Sequence, residues 1–298
     1  MSKSVAIVGI SGYLGKPVLE ALLEPAFRDN FKLPIRAVSR KAAGTSSEDV
    51  EYYEASDIAS YEKALKGVDV VIDLRGTAAL ESNDLAIAAK NAGAKVYIPS
   101  EFGLDYSQAG PLKPVFQKKA DIVNFAEAQG LKVIQFKVGY FIDSTLQPNW
   151  DLLAFADLSH DTADYVGDGS QNLSFNSTKN IGQSVAATIS LPYEMIPDVV
   201  KIAGDNVTPA KFVELYEKHT GKKVTVNSTT KEQIIQQAQD ALSGKLDNGV
   251  PAFFYALRGA SVAGDGANFK NNNDNELINP GEKYFKWEKI EDYIRKTY

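Results

Sequence analysis

The stretch that decides the fold stands near the start of the chain: Val5-Ala6-Ile7-Val8-Gly9-Ile10-Ser11-Gly12-Tyr13-Leu14-Gly15. Four apolar residues predict a buried strand, and three glycines follow it before Pro17, which suits the first turn of a helix. This order is typical of a dinucleotide site, because the glycines permit a tight turn and a close approach of backbone to pyrophosphate. The amides of the first helical turn would then face the anion. An ordinary tight turn between strand and helix is the alternative.

The rest of the first half alternates short apolar runs with amphipathic stretches. Strands are predicted at residues 5–10, 35–39, 50–54, 68–74, 95–99 and 132–137, and helices at 15–23, 61–65, 84–92 and 115–128. Strands that alternate with helices at this spacing predict an α/β fold with a doubly wound parallel sheet, and an unrelated α+β arrangement is the alternative.

The pattern changes after residue 141. Strand-like pieces at 165–166, 173–175, 199–202 and 223–226 mix with predicted helices at 178–191, 209–219, 231–243 and 288–296. The polar stretch 264–275 predicts a surface loop. We therefore expect a nucleotide-binding domain over residues 1–140 and a smaller α+β substrate lobe over 141–298, with some elements of the second half returning to the first sheet.

Composition excludes several classes of function. The 298 residues include two histidines and no cysteine, and the formal net charge is −6. Without cysteine there are no disulfides, thiolate metal sites or cysteine nucleophiles, and His160 and His219 stand too far apart in sequence to suggest a metal site. A mildly acidic chain without a basic block is not expected to bind nucleic acid. No signal peptide and no apolar run of ~18 residues is recognisable, so we expect a cytoplasmic protein without membrane contact.

The end of the second predicted strand distinguishes the two nicotinamide dinucleotides. An acidic residue at this point would bind the ribose 2′-hydroxyl of NAD, whereas a basic residue suits the 2′-phosphate of NADP. The chain has Ser39-Arg40-Lys41, without an acid. Arg40 offers a planar, always charged fork for phosphate and Lys41 adds a second charge. The sequence thus predicts NADP(H), with a solvated basic turn as the alternative.

Lys119 lies on the predicted buried face of the helix at 115–128. At 100° per residue it falls in the middle of an apolar arc of roughly 120° formed by Phe116, Ile122, Val123 and Ala126. Burial near a helix N-terminus would lower the pKa of a lysine, which suits a proton donor. The alternative is a lysine whose stem packs while its amine reaches water. None of the 14 tyrosines is followed by lysine four residues later, which excludes the Tyr-x-x-x-Lys mechanism of ordinary short-chain dehydrogenases.

Several short motifs follow one another in a characteristic order along nearly the whole chain. The most specific are Pro99-Ser100-Glu101-Phe102-Gly103 and Phe116-x-x-Lys119-Ala120. The others are the glycine turn, Ser39-Arg40, Gly167-Asp168-Gly169, Glu276-Leu277, Lys283-Tyr284 and Ile290-Glu291-Asp292-Tyr293. Together they resemble the NmrA-like and isoflavone reductase-like families, which are atypical short-chain dehydrogenases.

The resemblance implies an NADP-binding Rossmann domain and a smaller lobe that covers the nicotinamide. In the reductase branch the lysine that matches Lys119 is the general acid/base, and hydride passes from nicotinamide C4 to a benzylic or conjugated carbon of a phenolic ether, lignan or isoflavone. We therefore expect an NADPH-dependent oxidoreductase of an aromatic or conjugated, even quinone-like, small molecule. The alternative is a non-catalytic NADP(H)-binding regulator of the NmrA type, which would sense redox state through a protein partner.

The resemblance accordingly makes Lys119 the expected catalytic residue and places residues 99–103 along the nicotinamide side of the site. A strand-end turn with a solvated Glu101 is the alternative for that segment. The residues expected to contact the cofactor are Gly9, Ser11, Gly12, Tyr13, Leu14, Gly15, Ser39, Arg40, Lys41, Arg75, Pro99, Ser100, Glu101, Phe102, Lys119, Tyr140 and Phe141. An aromatic substrate pocket is expected from Tyr140, Phe141, Trp150, Phe155 and Phe253-Phe254-Tyr255, although each of these alone also suits a core position.

Overall fold

A parallel sheet forms the centre of the first half. The computed structural model describes residues 2–41, 43–145, 156–158 and 160–298. The sheet contains β1 (Lys3–Val8), β2 (Phe31–Ser39), β3 (Val50–Glu54), β4 (Val70–Asp73), β5 (Val96–Ile98) and β6 (Lys132–Val133). Their spatial order is β3-β2-β1-β4-β5-β6, so the order reverses beside β1 as in doubly wound dinucleotide-binding folds. The prediction of an α/β fold with a Rossmann sheet is confirmed.

Four helices connect these strands: α1 (Gly15–Leu23), α2 (Ile58–Leu65), α3 (Asp84–Asn91) and α4 (Gln117–Ala128). The second begins earlier than predicted because Asp57 caps it, accepting a hydrogen bond of 2.8 Å from the Ser60 amide. The fourth begins later than predicted, since a 3₁₀ segment containing Pro114 precedes it at Gly110–Phe116. No helix in the described ranges is long and apolar enough to cross a membrane.

Beyond β6 the chain adds shorter strands and further helices. In chain order they are β7 (Gln135–Lys137), β8 (Tyr140–Phe141), α5 (Ile142–Thr145), β9 (Ala156–Asp157), β10 (Thr162–Val166), β11 (Leu173–Asn176), α6 (Thr178–Ser190), β12 (Val199–Lys201), β13 (Asp205–Val207), α7 (Pro209–Thr220), β14 (Thr225–Thr229), α8 (Lys231–Leu242), α9 (Ala252–Ala263), α10 (Asn275–Ile278) and α11 (Ile290–Thr297). Two small sheets, β14-β10-β9 and β13-β11-β8, form the core of a smaller lobe with α7, α8, α9 and α11.

Two elements of the second half return to the first. β12 pairs in parallel with β7, which follows β6 after a single residue, so the predicted continuous strand at 132–137 is interrupted. The helix α6 packs on α1, and its Ile181, Val185 and Ile189 are fully buried in the same core as β1. The proposed domain boundary at residue 140 stays a prediction.

Two local predictions for the second half were incomplete. The helix α9 was not predicted, because its first residues, Ala252-Phe253-Phe254-Tyr255-Ala256-Leu257, form an apolar run without a helical period. The stretch 264–275, predicted as a surface loop, is partly buried. Its Phe269 is 1% exposed, and its Ala267 carbonyl accepts a hydrogen bond of 2.8 Å from the Ser174 amide of β11. The loop is thus held by backbone bonding to a strand edge.

The contact between α6 and α1 yields a stability prediction. A Cβ at Gly182 would lie 2.4 Å from the Pro17 carbonyl oxygen, so the two helices touch backbone to backbone. Gly182→Ala should therefore lower the free energy of unfolding by about 1–3 kcal/mol. At an exposed helical position the same change would be stabilising by up to about 1 kcal/mol. Urea unfolding measures the effect, with exposed Lys179→Ala as control, and an unchanged or raised midpoint for Gly182→Ala would contradict this packing.

Candidate active site

The glycine turn is compressed against the ends of three strands. Gly9 has a φ of 95°, and a Cβ there would lie 2.7 Å from the Leu74 carbonyl that follows β4. A Cβ at Gly15 would lie 2.1 Å from the Ile10 carbonyl oxygen, which explains why α1 begins on a glycine. The Gly9 amide donates to the Val38 carbonyl of β2 at 2.9 Å. The turn therefore exposes backbone at the carboxyl edge of the sheet, as a bound pyrophosphate requires.

Two cavities flank this turn, and Ser11, Gly12 and Arg40 line both of them. The larger, of about 950 Å³, also reaches Lys41, and the smaller, of about 360 Å³, reaches Ser39 and Arg75. Arg40 and Lys41 are exposed, and Arg40 forms no ion pair with any described residue. The structure thus brings the basic turn after β2 beside the glycine turn. The space and charge fit a nucleotide with an additional phosphate.

Arg75 is held by a buried carboxylate at the end of β4. Its Nε and Nη2 donate to the two oxygens of Asp73 at 2.9 and 2.8 Å, and the Tyr97 hydroxyl donates to the same carboxylate at 2.8 Å. Asp73 is fully buried, and although burial lowers the pKa of Arg75, the carboxylate raises it above its ordinary value. Asp73 and Tyr97 were not among the predicted site residues. A charged residue within the apolar run Val70-Val71-Ile72-Asp73-Leu74 was the available signal.

Lys119 is the third residue of α4, and its side chain is largely buried. Its side chain is 14% exposed, and its Nζ donates to the Ser100 carbonyl at 2.6 Å, just beyond β5. Burial lowers the pKa of Lys119, the nearby Lys137 lowers it further, and Glu101 opposes the shift. All four members of the predicted apolar arc, Phe116, Ile122, Val123 and Ala126, are buried. The helical periodicity therefore located a buried lysine correctly.

Glu101 joins Lys119 to a second buried lysine. Its side chain is only 4% exposed, so the alternative of a solvated Glu101 is wrong. Its Oε2 accepts from Lys137 Nζ at 2.5 Å, while its Oε1 lies 4.0 Å from Lys119 Nζ. Lys137 was not among the predicted site residues. Its position between Phe136 and Val138, close to the apolar Val133-Ile134, was the signal that pointed to a buried, paired charge.

A third cavity, of about 430 Å³, opens beside this cluster. Glu101, Lys119 and Lys137 line it together with Phe116 and Tyr106. The Tyr106 ring stacks on Phe116 with centroids 4.1 Å apart, and Lys119 Nζ lies 5.4 Å from the centre of the tyrosine ring. The cavity therefore offers aromatic surface next to a lysine. In the described ranges no group of three or more potential side-chain ligands is placed to hold a metal ion.

Of the other residues predicted to contact the cofactor, some lie at the surface of the glycine turn and some lie in the core. Tyr13 is 51% exposed and its ring lies 5.9 Å from Phe141, so these two aromatics meet above the glycine turn. The other residues of the set point into the core or contact close neighbours. Leu14 and Pro99 are buried, and the Ser39 Oγ donates to the Lys41 carbonyl. Phe102 stacks on Phe136, and Tyr140 stacks on Phe175 in the core of the smaller lobe. Contact of each with a cofactor stays a prediction.

The expected aromatic pocket is only partly assembled. Phe253 is 39% exposed and meets Phe116 edge-on at 6.2 Å, which places it near the third cavity. Phe254 and Tyr255 are partly buried against the core of the smaller lobe. Trp150 and Phe155 lie outside the described residues. Phe253 is thus the predicted substrate-side aromatic whose position agrees best with the pocket.

Comparison with known proteins identifies the family. An isoflavone reductase homolog from Solanum tuberosum is 29% identical over 280 residues, covering 89% of both chains. A crystal structure of isoflavone reductase superposes over all of both chains with a TM-score of 0.79 at 20% identity. A structure of AtPrR2 with NADP+ and (+)-pinoresinol covers 100% of this chain and 99% of its own, with a TM-score of 0.77 at 20% identity. The model of the NmrA-like family matches residues 1–260, which confirms the resemblance, and the protein belongs to the NmrA-like family.

Proposed function

We propose that this protein is an NADPH-dependent reductase of a small aromatic or conjugated molecule. The observation that carries the proposal is the position of Lys119, a buried lysine with a lowered pKa at the same sheet edge as the glycine turn. A buried cation is costly, and such groups concentrate where chemistry needs them. The names of the similar proteins, isoflavone reductase and a protein bound to NADP+ and pinoresinol, support the same class.

The glycine turn and Arg40 would hold the cofactor. Side chains at Gly9 and Gly15 would collide with the backbone of Leu74 and Ile10, so these glycines permit the tight turn, and Arg40 is exposed beside it. An arginine fork matches the 2′-phosphate that distinguishes NADPH from NADH. NADPH, when bound, supplies the hydride. The chain's own task is to orient the nicotinamide and the substrate and to manage the accompanying proton.

Lys119 would manage that proton. Its Nζ donates one hydrogen to the Ser100 carbonyl, which fixes the direction of the amine and leaves its other positions for a substrate oxygen. A general acid works best when its pKa lies near the operating pH, so the lowered pKa of Lys119 favours this role. Phe116 and Tyr106 shield the amine on one side and reduce its contact with water.

The neighbouring cavity sets the proposed substrate class. Its volume of about 430 Å³ and its aromatic lining suit a compound of one or two rings. In a benzylic ether the C–O bond would break as hydride reaches the benzylic carbon, and Lys119 would protonate the departing phenolic oxygen. In a conjugated carbonyl compound hydride would add to the conjugated carbon, and Lys119 would protonate the carbonyl oxygen. We therefore propose a phenolic ether, lignan, isoflavone or quinone-like substrate.

The proposed role of Arg40 predicts a change in cofactor preference. Arg40→Ala should weaken NADPH binding roughly 10- to 100-fold, because it removes charge-assisted hydrogen bonds to the 2′-phosphate. NADH affinity should change little. Fluorescence titration of both cofactors measures the ratio. Lys32→Ala, at the other end of β2 and 62% exposed, is the control that removes a charge away from the site. An unchanged ratio in Arg40→Ala would rule out this assignment.

The proposed role of Lys119 predicts a loss of turnover without a loss of cofactor. Lys119→Met should lower kcat about 100- to 10,000-fold, because the general acid is gone. Lys118→Met is the matched control, since Lys118 is the exposed neighbour on the same helix. NADPH oxidation at 340 nm across quinones, aromatic enones and benzylic ethers measures turnover, and NADPH binding is confirmed for each variant.

The result of this assay separates the enzyme from a regulator. Activity that persists in Lys119→Met at the wild-type rate would contradict the role of Lys119. Wild-type protein that binds NADPH yet turns over none of these compounds would instead favour a redox-sensing regulator, and a protein partner that co-purifies in only one nucleotide state would be the expected companion observation.

A further inference from the structure

The cluster around Glu101 holds two lysines but only one carboxylate. Lys137 Nζ contacts Glu101 Oε2 at 2.5 Å, whereas Lys119 Nζ stays 4.0 Å from Oε1. Oε1 is buried and accepts no hydrogen bond from the described part of the chain. Lys137 is as inaccessible as its partner, with a side chain 7% exposed. Glu101 therefore forms a hydrogen-bonded ion pair with Lys137, whereas it interacts with Lys119 only through a longer electrostatic contact.

Backbone bonding fixes this arrangement independently of the charges. The Val138 and Gly139 amides donate to the Gly103 carbonyl at 2.8 and 3.1 Å, and Gly103 forms a parallel bridge with Lys137. The segment that carries Glu101 is thus joined to the end of β7 by main-chain hydrogen bonds. Conservative changes to either charged side chain should leave the local backbone in place.

The ion pair has an electrostatic consequence for Lys119. A bare carboxylate 4.0 Å away would strongly stabilise the ammonium form of a buried lysine. With Lys137 bound to the other oxygen, part of the carboxylate's charge is compensated, so Glu101 favours the ammonium form of Lys119 less than a lone carboxylate would. Lys137 would thereby keep Lys119 from being locked as an ammonium ion by Glu101.

We propose that Glu101 and Lys137 are positioning residues that act as a charge pair and set the protonation state of Lys119. The inference rests on the proposed proton-donor role of Lys119 for its functional meaning, but not for its test. Glu101 favours the charged form of the amine and Lys137 the neutral form. Their balance decides whether Lys119 releases its proton readily near neutral pH.

Two further carboxylates near the cluster are already paired. Asp73, which also favours the charged form of Lys119, is bound to Arg75 and Tyr97. Asp105 lies near Lys137 and is bound to Lys201 at 3.0 Å. Tyr106, which faces Lys119 with its ring, is neutral because burial, reinforced by Glu101, raises its pKa above its ordinary value. Glu101 and Lys137 are therefore the pair whose removal changes the field at Lys119 most.

The test measures the pKa of Lys119 directly in the folded protein. Protein labelled with lysine carrying ¹³C at Cε is titrated by NMR, and the Lys119 signal is assigned by its loss in Lys119→Arg. Lys137→Met should raise the pKa of Lys119 by roughly 1–3, because Glu101 is left uncompensated. Glu101→Gln should lower it, because the favourable carboxylate is removed while Lys137 remains.

The double variant and a neighbouring ion pair supply the controls. Glu101→Gln combined with Lys137→Met should give a pKa between those of the single variants. Lys201→Met breaks the adjacent pair with Asp105 in the same cavity and should change the pKa of Lys119 far less. If Lys137→Met does not fold, Glu101→Gln and the double variant carry the test. Shifts of one sign in both single variants, or of less than roughly 0.3 in either, would overturn the proposal.

Turnover gives a second readout with a defined sign. A proton donor loses activity as pH rises through its pKa, so the alkaline limb of kcat/KM should move to higher pH in Lys137→Met and to lower pH in Glu101→Gln. If no substrate is turned over, the proposed function fails while the NMR titration still decides the present inference. If turnover is found but the pKa of Lys119 stays unmoved, only the present inference fails.

Discussion

The contact between Gly9 and the backbone after β4 is the constraint on which the site depends. With no room for a Cβ between Gly9 and the Leu74 carbonyl, the carboxyl ends of β1 and β4 meet closely at the point where the strand order reverses. Open α/β sheets bind their ligands at that point. Because the strands are parallel, the groups that follow β2 and β5, Arg40 and Ser100, arrive at the same edge. A single close approach thus brings together the groups for which we propose phosphate binding and proton transfer.

Electrostatics then decides what this edge can do. Two carboxylates are buried there, and each has a different partner: Asp73 holds Arg75 through two hydrogen bonds, and Glu101 holds Lys137 through one. Burying a charge without such a partner is costly. Lys119 is the exception, since its nearest polar contact is a neutral carbonyl. A cation in that environment is more easily converted to a neutral amine, which is the property that a general acid needs.

Local pattern in the sequence was sufficient where the physics is local. The strand, glycine turn and helix at the start of the chain follow from an apolar run and glycine spacing, and Lys119 follows from helical periodicity. Ion pairs between residues that are distant in sequence could not be predicted from local pattern. Lys137 stands between two apolar residues at the end of β7, but its partner Glu101 is known only once the neighbouring segments are placed. The helix α9 was not predicted because it is apolar on several faces, and a helix is recognised in a sequence by apolar residues that repeat on one face only.

The proposed reaction transfers hydride from NADPH to a benzylic or conjugated carbon of an aromatic molecule. Its most direct test uses NADPH carrying deuterium at one or the other face of nicotinamide C4, incubated with the protein and the benzylic ether and aromatic enone compounds, followed by mass spectrometry of the products. The account predicts that one of the two labelled cofactors delivers one deuterium to a carbon of a reduced product, while the other delivers hydrogen. Tight binding of NADPH with no labelled product from either cofactor would contradict it.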